Sequence, residues 1–244
     1  MLTIDPKDIA TQKLYGLMVS TVGPRPIAFA STVNAEGKPN LAPFSFFNMM
    51  SANPPILVFS PVLKISDKSS KHTLQNVEQN KEVVINVVNY DIVQQMSLAS
   101  TAYAEGVNEF EKAGLTMQDA EMVKPFRVKE SPVQFECKVT QIVTLGEEGG
   151  AGHLVCCEVL KMHIADEVLD ENNKIDQFKL DQVSRMGGNL YSRANKGIFE
   201  IPKPISSMGM GVDALPESIR ESTILTGNDL GKLGTLESAP EEKE

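Results

Sequence analysis

The sequence predicts a mainly β fold, in which an antiparallel sheet closes into a barrel with helices at its edges. About six segments are apolar or β-branched without a helical period, and most are paired as hairpins by short stretches of turn residues. The alternative, a parallel sheet built from βαβ units, lacks its usual signature, because the chain contains neither a Gly-x-Gly-x-x-Gly sequence nor a Walker-type phosphate loop.

The first sixty residues contain the clearest strands. Residues 5–18 predict a short helix followed by a strand, and residues 25–33 predict a strand because they are apolar and β-branched. The polar stretch 34–39 supplies a turn, and residues 40–48 predict the returning strand of a hairpin. Two prolines then interrupt any hydrogen-bond ladder before an apolar strand over residues 56–60.

The rest of the chain predicts mixed helices and strands, followed by an extension. In order, these are a loop over residues 60–72, a helix capped by Thr73, a strand over 82–88, a helix over 91–99, a short helix anchored by Phe110 and a long hairpin formed by 132–145 and 152–164. The acidic, glycine-rich loop that joins this hairpin is expected to be mobile. We assign residues 1–202 to the barrel domain and residues 203–244 to a C-terminal extension, with an acidic tail at 238–244.

Composition limits the partners that the protein can have. The chain has 244 residues, of which 41% are hydrophobic, and a formal net charge of −9 from 23 Lys and Arg against 32 Asp and Glu. This predicts a globular protein and argues against a nucleic-acid binder, which needs a clustered basic surface. The sequence shows no secretory leader and no apolar run long enough to cross a bilayer, so we expect a cytoplasmic protein without a membrane partner.

Three cysteines are too few for a disulfide scaffold. Neighbouring residues of a strand point to opposite faces, so Cys156 and Cys157 would be a poor chelating pair for a metal shared with His153 or His163. We therefore predict that these two residues and Cys137 are packed free thiols, and that the chain has no metal site.

The loop before Thr73 has the features of an anion site. A helix N-terminus presents unpaired N–H groups and the positive end of the helix dipole, to which Lys71 and Thr73 add a charge and a hydroxyl. Ser60, at the end of the preceding strand, could join them. The alternative is a solvated loop with an ordinary N-cap threonine. His72 is expected to be a solvated neighbour of the site, since no acid partner is evident.

The strand predicted over residues 40–48 has the features of a platform for a planar ligand. Ala42, Phe44 and Phe46 alternate along one face, and Ser45 and Asn48 offer hydrogen bonds. Pro43 lacks an N–H, so this strand must lie at a sheet edge or contain a bulge. An edge strand beside a cleft would suit a planar heterocycle, and the alternative is an ordinary edge strand with one core face.

Two arginine-containing segments are further candidates. Arg25, between two prolines, could anchor a phosphate or an interface carboxylate, or simply stiffen the start of a strand. The segment from Arg185 to Tyr191 contains two glycines that allow close backbone approach and a ring that can stack on a ligand. The alternative for this segment is a turn that ends a helix.

In combination, these segments resemble the flavin reductase-like, FMN-binding split-barrel family, which includes flavoredoxins. The matching motifs are Pro24-Arg25-Pro26-Ile27-Ala28 through Ser31-Thr32, Asn40-Leu41-Ala42-Pro43-Phe44-Ser45, Asn53-Pro54-Pro55 with Ser60, Lys71-His72-Thr73, Asn86-Val87-Val88 and Arg185 through Tyr191. The order and spacing of the motifs are specific, although each one alone is weak. One departure is His72, where many members carry Asp.

The resemblance implies a split-barrel homodimer that binds FMN non-covalently near the subunit interface. The residues implied to line the isoalloxazine ring and ribityl chain are Ser31, Thr32, Ala42, Phe44, Ser45, Phe46 and Asn48. Those implied to hold the phosphate are Ser60, Lys64, Lys71 and Thr73. Arg185 and Tyr191 are additional candidates that would reach the site from a neighbouring segment or subunit.

The resemblance also implies an oxidoreductase of the flavin reductase type, which passes electrons from NADH or NADPH through FMN to an acceptor. In such an enzyme the cofactor supplies the chemistry, which agrees with the lack of a catalytic acid–base pair in the sequence. Two alternatives stay open. The chain could be an FMN electron carrier that serves a redox-protein partner, or a non-catalytic module that has lost the flavin.

Overall fold

The structure, a computed structural model, describes residues 1–104, 106–201 and 209–237. The chain divides into two compact units, Met1–Gly197 and Ile198–Glu244. The domain boundary that the sequence predicts after residue 202 lies outside the described residues, as does the predicted acidic tail at 238–244.

Twelve strands lie in the described part of the first unit. They are β1 (Arg25–Pro26), β2 (Ala28–Val33), β3 (Pro39–Phe44), β4 (Phe47–Ala52), β5 (Pro55–Phe59), β6 (Glu82–Val87), β7 (Met117–Gln118), β8 (Arg127–Val128), β9 (Val133–Thr144), β10 (His153–Ile164), β11 (Val183–Arg185) and β12 (Tyr191–Arg193).

Seven α-helices lie in the described residues. The first unit contains α1 (Thr11–Thr21), α2 (His72–Asn80), α3 (Val93–Ala99), α4 (Glu109–Ala113) and α5 (Gln177–Leu180), and the second contains α6 (Glu217–Arg220) and α7 (Gly227–Gly234). None of the helices in the described ranges has the length and apolar character that a membrane span requires.

Seven strands form one antiparallel sheet in the order β3-β2-β6-β9-β10-β5-β4. The two edge strands, β3 and β4, follow one another in sequence and are joined only by Ser45 and Phe46. Since consecutive Cα atoms are about 3.8 Å apart, the end of β3 and the start of β4 lie within about 11 Å of each other. The sheet must therefore curl until its edges nearly meet, which gives the antiparallel split barrel that the sequence predicts.

The hairpin predicted from residues 25–48 is confirmed in its first part and wrong at its end. Val33 pairs with Pro39 and Ala28 with Phe44, where β3 stops. Pro43 fits because β3 is an edge strand, so the missing N–H removes no bond from the middle of the sheet. The chain then turns, and Asn48 lies in β4, at the opposite edge of the sheet.

The N-terminal segment also differs from the prediction, because α1 continues through Thr21 where a strand was expected. Arg25 explains the difference. Its Nη1 donates to the Val19 carbonyl at 2.6 Å and also to the Val22 carbonyl, while its Nη2 donates to the Met186 carbonyl at 2.9 Å. These bonds satisfy carbonyl groups at the end of the helix, which would otherwise lack partners.

The core lies on both sides of β2. Ala28 and Ala30 face the barrel interior, whereas Phe29 faces α3 and α4, in agreement with the alternation of side chains along a strand. Cys137 and Cys157 are buried free thiols of the barrel interior, and burial raises the pKa of both. Packed thiols are therefore confirmed at these two positions, while Cys156 is a half-buried free thiol. In the described ranges, no three His, Cys, Asp or Glu side chains are arranged to hold a metal.

The second unit begins its last helix with a capping box. The Thr226 hydroxyl accepts a hydrogen bond from the Asp229 N–H at 3.2 Å, and the Asp229 carboxylate accepts one from the Thr226 N–H at 2.8 Å. At the end of the helix, the Gly234 carbonyl accepts a hydrogen bond from the Gly211 N–H at 3.0 Å. The described part of the extension thus contains ordered local structure.

A buried carboxylate ties the segment before β8 to the barrel wall. Glu136 of β9 is fully buried and accepts hydrogen bonds from the backbone N–H groups of Glu121 at 3.0 Å and Met122 at 2.6 Å. The His163 Nε2 lies 2.6 Å from the same carboxylate. Burial alone would raise the pKa of Glu136, but the two N–H groups and His163 together lower it.

We predict that Glu136→Gln lowers the free energy of unfolding by about 3 kcal/mol at pH 7, because it removes the charged partner from a buried cluster. The folded-state pKa is depressed, so the stabilisation by the wild-type carboxylate is present above its unfolded pKa and disappears as the pH falls through the folded pKa. Urea unfolding between pH 7 and pH 3 measures this. The exposed Glu171→Gln is the control, and equal stability of the two variants would contradict the prediction.

Candidate functional site

Three adjoining cavities follow the seam between the two sheet edges, and Pro43 lines all three. We name them the anion cavity (≈ 170 Å³), the tyrosine cavity (≈ 210 Å³) and the corner cavity (≈ 150 Å³). The lining residues used below are Ala42, Lys64, Lys71, His72, Thr73 and Glu109 for the anion cavity, Tyr15, Ser45, Arg185 and Tyr191 for the tyrosine cavity, and Tyr15, Phe44, Ser45, Phe46, Ser60 and Lys71 for the corner cavity.

The structure brings most of the predicted site residues together at this seam. All of them except Ser31, Thr32 and Asn48 line at least one of the three cavities. Residues that are far apart in sequence, such as Ser45 and Arg185, share the tyrosine cavity. The seam is therefore the place where the separate sequence motifs meet.

The corner cavity is built from aromatic rings with one cation. The Phe44 ring packs against Phe59 with a centroid distance of 5.3 Å, and the Tyr15 ring lies 6.1 Å from that of Phe46. Lys71 Nζ lies 5.1 Å from the Phe44 ring centroid, within the range of a cation–π interaction. The corner cavity thus places aromatic rings, the polar groups of Ser45 and Ser60 and a positive charge side by side.

The backbone of the corner is fixed by the end of β5. The Ser60 N–H donates to the Phe46 carbonyl at 2.8 Å. Gly152 of the neighbouring hairpin lets the Ser60 side chain lie close, since a Cβ at this glycine would come within 2.6 Å of Ser60 Oγ. Ser60 is thus held at the corner cavity by both neighbours.

The start of α2 faces the anion cavity without a capping side chain. Its N-cap residue is Lys71, and no side chain accepts from the N–H groups of the first turn in the manner of a cap. Lys64 adds a second cation to the same cavity. The pKa of Lys71 is lowered, first because the surrounding protein removes water from its ammonium group and second because Lys64 repels it. Free N–H groups and two cations make this cavity suitable for an anion.

Thr73 does not cap α2, and the prediction that it does is wrong. It is the second residue of the helix and is buried, and its Oγ1 accepts a hydrogen bond from Asn40 Nδ2 at 2.9 Å. The Asn40 amide also donates to Thr32 Oγ1 at 3.1 Å, and Asn76 Nδ2 donates to the same oxygen at 3.0 Å. This network fixes the Thr73 hydroxyl at the cavity wall, and its hydrogen is oriented by whatever acceptor enters the cavity. Thr32 belongs to the support and does not line a cavity.

Two other predicted residues lie away from the cavities. Ser31 is fully buried in β2, and its hydroxyl has no hydrogen-bond partner among the described residues. Asn48 is exposed on β4, where its Oδ1 accepts from the Met49 N–H at 2.8 Å. Asn48 was placed on the wrong strand, because the turn after Phe44 is not evident from the alternating pattern.

Arg185 and Tyr191 enter the seam from a small separate sheet, β1-β11-β12. The Arg185 guanidinium lies 4.6 Å from the centre of the Tyr191 ring, donates to the Tyr191 hydroxyl and reaches the Gly188 carbonyl at 2.5 Å. Arg185, the last residue before the turn between β11 and β12, thereby stabilises this turn. Contrary to the alternative stated above, the segment joins two strands and does not end a helix.

Arg25 holds backbone carbonyls and does not line any of the three cavities. It is buried, and the bonds to the α1 carbonyls and to Met186 described above engage both terminal nitrogens. Arg25 is therefore neither a phosphate anchor nor a surface residue. Through Met186 it links α1 to the segment that carries Arg185.

The sequence did not identify Tyr15 and Glu109 as cavity residues. Asn108 caps α4, since its side chain accepts from the Phe110 N–H at 3.1 Å, and this places Glu109 against β3. There the Leu41 N–H donates to Glu109 Oε2 at 3.1 Å. The Asn-Glu-Phe pattern signals a helix start, but no local pattern shows that its first residue faces an anion cavity.

The acidic loop 146–150 contacts the loop that precedes α2. The Gly150 N–H donates to the Leu63 carbonyl at 3.0 Å, and Lys68 forms an ion pair with Glu148 at 2.6 Å. A Cβ at Gly149 would lie 2.8 Å from the Ile65 carbonyl oxygen, so only glycine fits there without a backbone shift. The hairpin tip therefore supports the loop that carries Lys64.

Comparison with known proteins identifies the family. The family model described as the flavin reductase like domain matches residues 21–179. This chain belongs to the flavin reductase-like family. Three solved structures are similar to it. They are nitrilotriacetate monooxygenase component B from Bacillus cereus (29% identity, 82% of this chain and 98% of that chain, TM-score 0.77), the 2-nitrobenzoate 2-nitroreductase from Pseudomonas fluorescens (27%, 85% and 100%, 0.72) and a split-barrel protein from Shewanella frigidimarina (23%, 83% and 100%, 0.69).

Membership in the flavin reductase-like family supports a flavin as the cofactor and confirms the resemblance that the motifs indicate. The split-barrel neighbour agrees with the fold derived from the strand order. The chemistry of the seam fits a phosphorylated planar cofactor, because an aromatic wall continues into a cavity with two cations and free N–H groups. One side chain stands out against this fit, since the Glu109 carboxyl also lines the anion cavity.

Proposed function

We propose that this protein binds FMN non-covalently along the seam and is an FMN-dependent oxidoreductase. The observation that carries the proposal is the continuity of the corner and anion cavities, which share Pro43 and Lys71. Aromatic rings with neighbouring hydroxyl groups, joined in this way to an anion site, suit a mononucleotide. A ligand with either part alone would use only half of the seam.

The proposal assigns a role to each predicted residue that lines a cavity. Lys64, Lys71 and Thr73 would hold the phosphate, with Ser60 at the adjoining corner. Ala42, Phe44, Ser45 and Phe46 would lie along the ring and ribityl chain. Arg185 and Tyr191 would close the far side, from the tyrosine cavity. Thr32 would act through Asn40, which it helps to orient, and we propose no cofactor contact for Ser31 within this chain.

The flavin, when bound, supplies the transfer of hydride and single electrons. The chain's own residues bind it, orient it and keep one side of the seam accessible. This division of labour requires no catalytic acid–base pair from the protein. We propose NADH or NADPH as the electron donor. A similar solved structure, a 2-nitrobenzoate 2-nitroreductase that is 27% identical, supports the assignment of this chain to the oxidoreductases.

We also propose that the chain is a homodimer. None of the residues of α1 is buried, and Met18 and Val22 at its end are 55% and 60% exposed. The edge strand β4 exposes Met49 and Met50 by 64% and 62%. Both elements flank the corner, since β4 starts there and Tyr15 of α1 contacts Phe46. Large apolar side chains that are grouped in this way indicate an interaction surface, and this surface would place Asn48 at the interface.

For the cofactor, we predict that the apo-protein binds FMN far more tightly than riboflavin, and that Lys71→Ala reduces this preference by about tenfold, because a charge-assisted contact to the phosphate is lost. Fluorescence titration with both flavins measures the ratio. The control is Lys68→Ala. This variant removes a cation from the same loop, but Lys68 itself lines none of the three cavities. Equal affinity of the wild-type protein for FMN and riboflavin would show that the phosphate site is wrong.

For the reaction, we expect NADH or NADPH to reduce the bound FMN within a stopped-flow experiment. The measurement is the loss of the flavin absorbance band under anaerobic conditions. A protein that binds FMN but is reduced by neither nucleotide would favour an electron carrier that works with a redox-protein partner. A protein that binds no flavin would contradict both proposals and favour the non-catalytic module.

For the oligomer, we expect light scattering to give twice the mass of one chain, and Met49→Glu to shift the protein towards the monomer because it buries a charge in the proposed interface. Leu145→Glu is the matched control, because Leu145 is also 64% exposed but lies outside α1 and β4. A wild-type monomer at high protein concentration would refute the dimer.

A further inference from the structure

Glu109 is out of place in a cavity that suits anions. Its side chain lines the anion cavity together with Lys64, Lys71, His72 and Thr73. A negative charge there would repel a phosphate that the cations and the start of α2 attract. The residue is nevertheless buried, with 8% of its surface exposed, so it cannot turn away into solvent.

The position of the carboxyl group is fixed by the barrel. Glu109 Oε2 accepts the hydrogen bond from the Leu41 N–H at 3.1 Å, and Asn108 caps the short helix that carries it. Because Oε2 is engaged with β3, Oε1 is the oxygen that can carry a proton. A protonated Oε1 is a hydrogen-bond donor, which a phosphate oxygen can accept.

The surroundings favour protonation of this group. Burial raises the pKa of Glu109, and the Leu41 N–H and the charge of His72 act in the opposite direction. The ionisable groups that face it are Lys64, Lys71 and His72 from the loop and start of α2, Tyr103 from the segment after α3, and Lys38 from the turn before β3. A bound phosphate dianion would oppose the ionised carboxylate and shift the balance further towards the neutral acid.

Solvent can reach Glu109 from a second direction. A smaller cavity of ≈ 40 Å³ lies on its other side, and Glu109, His72 and Asn40 form the wall between this cavity and the anion cavity. A proton can therefore reach the carboxyl group without passing a ligand in the anion cavity.

We propose that Glu109 takes up one proton from solvent when a phosphate monoester enters the anion cavity, and that this residue makes the affinity for the phosphorylated flavin depend on pH. The proposal rests on the proposed function, because the phosphate is that of FMN. The proton adds to Oε1 on binding and returns to solvent on release, and no covalent bond to the ligand forms. Riboflavin, which lacks the phosphate, binds without this proton.

The test is isothermal titration calorimetry of the apo-protein with FMN and with riboflavin, in buffers of different ionisation enthalpy between pH 7 and pH 8.5, where the phosphate of free FMN is mainly a dianion. The slope of the binding enthalpy against the buffer enthalpy gives the number of protons taken up. We expect net uptake with FMN and none with riboflavin. The FMN affinity should fall as the pH rises, by up to about tenfold per pH unit where one proton is linked.

Glu109→Gln keeps an oxygen for the Leu41 N–H but cannot ionise. We expect this variant to bind FMN without proton uptake, with an affinity that no longer falls with pH and that exceeds the wild-type affinity at pH 8.5. Glu111→Gln, an exposed carboxylate of the same helix, is the control that should behave as wild type. His72→Asn separates the other titratable neighbour, and this variant should keep the uptake.

The outcomes distinguish the two proposals. Equal binding of FMN and riboflavin would overturn the phosphate site and the inference with it. A clear preference for FMN without proton uptake in the wild-type protein would overturn only the role of Glu109. Uptake that persists in Glu109→Gln but is lost in His72→Asn would assign the proton to His72. If Glu109→Gln fails to fold, a wild-type protein that takes up no proton would still overturn the role of Glu109, and loss of the uptake in His72→Asn would still assign the proton to His72.

Discussion

The two-residue corner at Ser45 and Phe46 is the constraint on which the rest of the structure depends. It joins the two edges of a seven-stranded sheet, so the sheet cannot stay open. The strands on either side of the corner do not pair with each other, and the seam that remains between them contains the three cavities. The same short connection that closes the barrel thus leaves the gap in which a ligand can lie.

The elements around the seam are held by bonds that are remote in sequence. Arg25 joins the end of α1 to the backbone before Arg185, and the hairpin tip at Gly149 supports the loop that carries Lys64. The cations and rings of the seam therefore stand on backbone that is fixed from behind. Such pre-positioning reduces the ordering that a ligand has to impose when it binds.

Much of this arrangement was predictable from the sequence, and the parts that were not share a cause. Pro43 limited β3 to a sheet edge or a bulged strand, and the packed thiols followed from the small number of cysteines and from the opposite faces of Cys156 and Cys157. The division of residues 40–48 between two strands did not follow, because alternation continues through the turn. Thr73 was assigned as a cap because the pattern of a helix start cannot show that its hydroxyl oxygen accepts a hydrogen bond from Asn40, 33 residues earlier. Glu109 was not predicted as a site residue because its position in the anion cavity depends on residues that only the folded barrel brings close to it.

The hydrogen bond between Leu41 and Glu109 has a second consequence, for the behaviour of the sheet edge. Residues 39, 41 and 43 of β3 direct their backbone away from β2, as the Leu41 bond shows. Two of these positions are prolines without an N–H, and the third N–H is occupied by the carboxylate. An approaching strand would thus find no donor along this edge of the described chain. The edge is protected against strand addition and aggregation, although it borders an open seam.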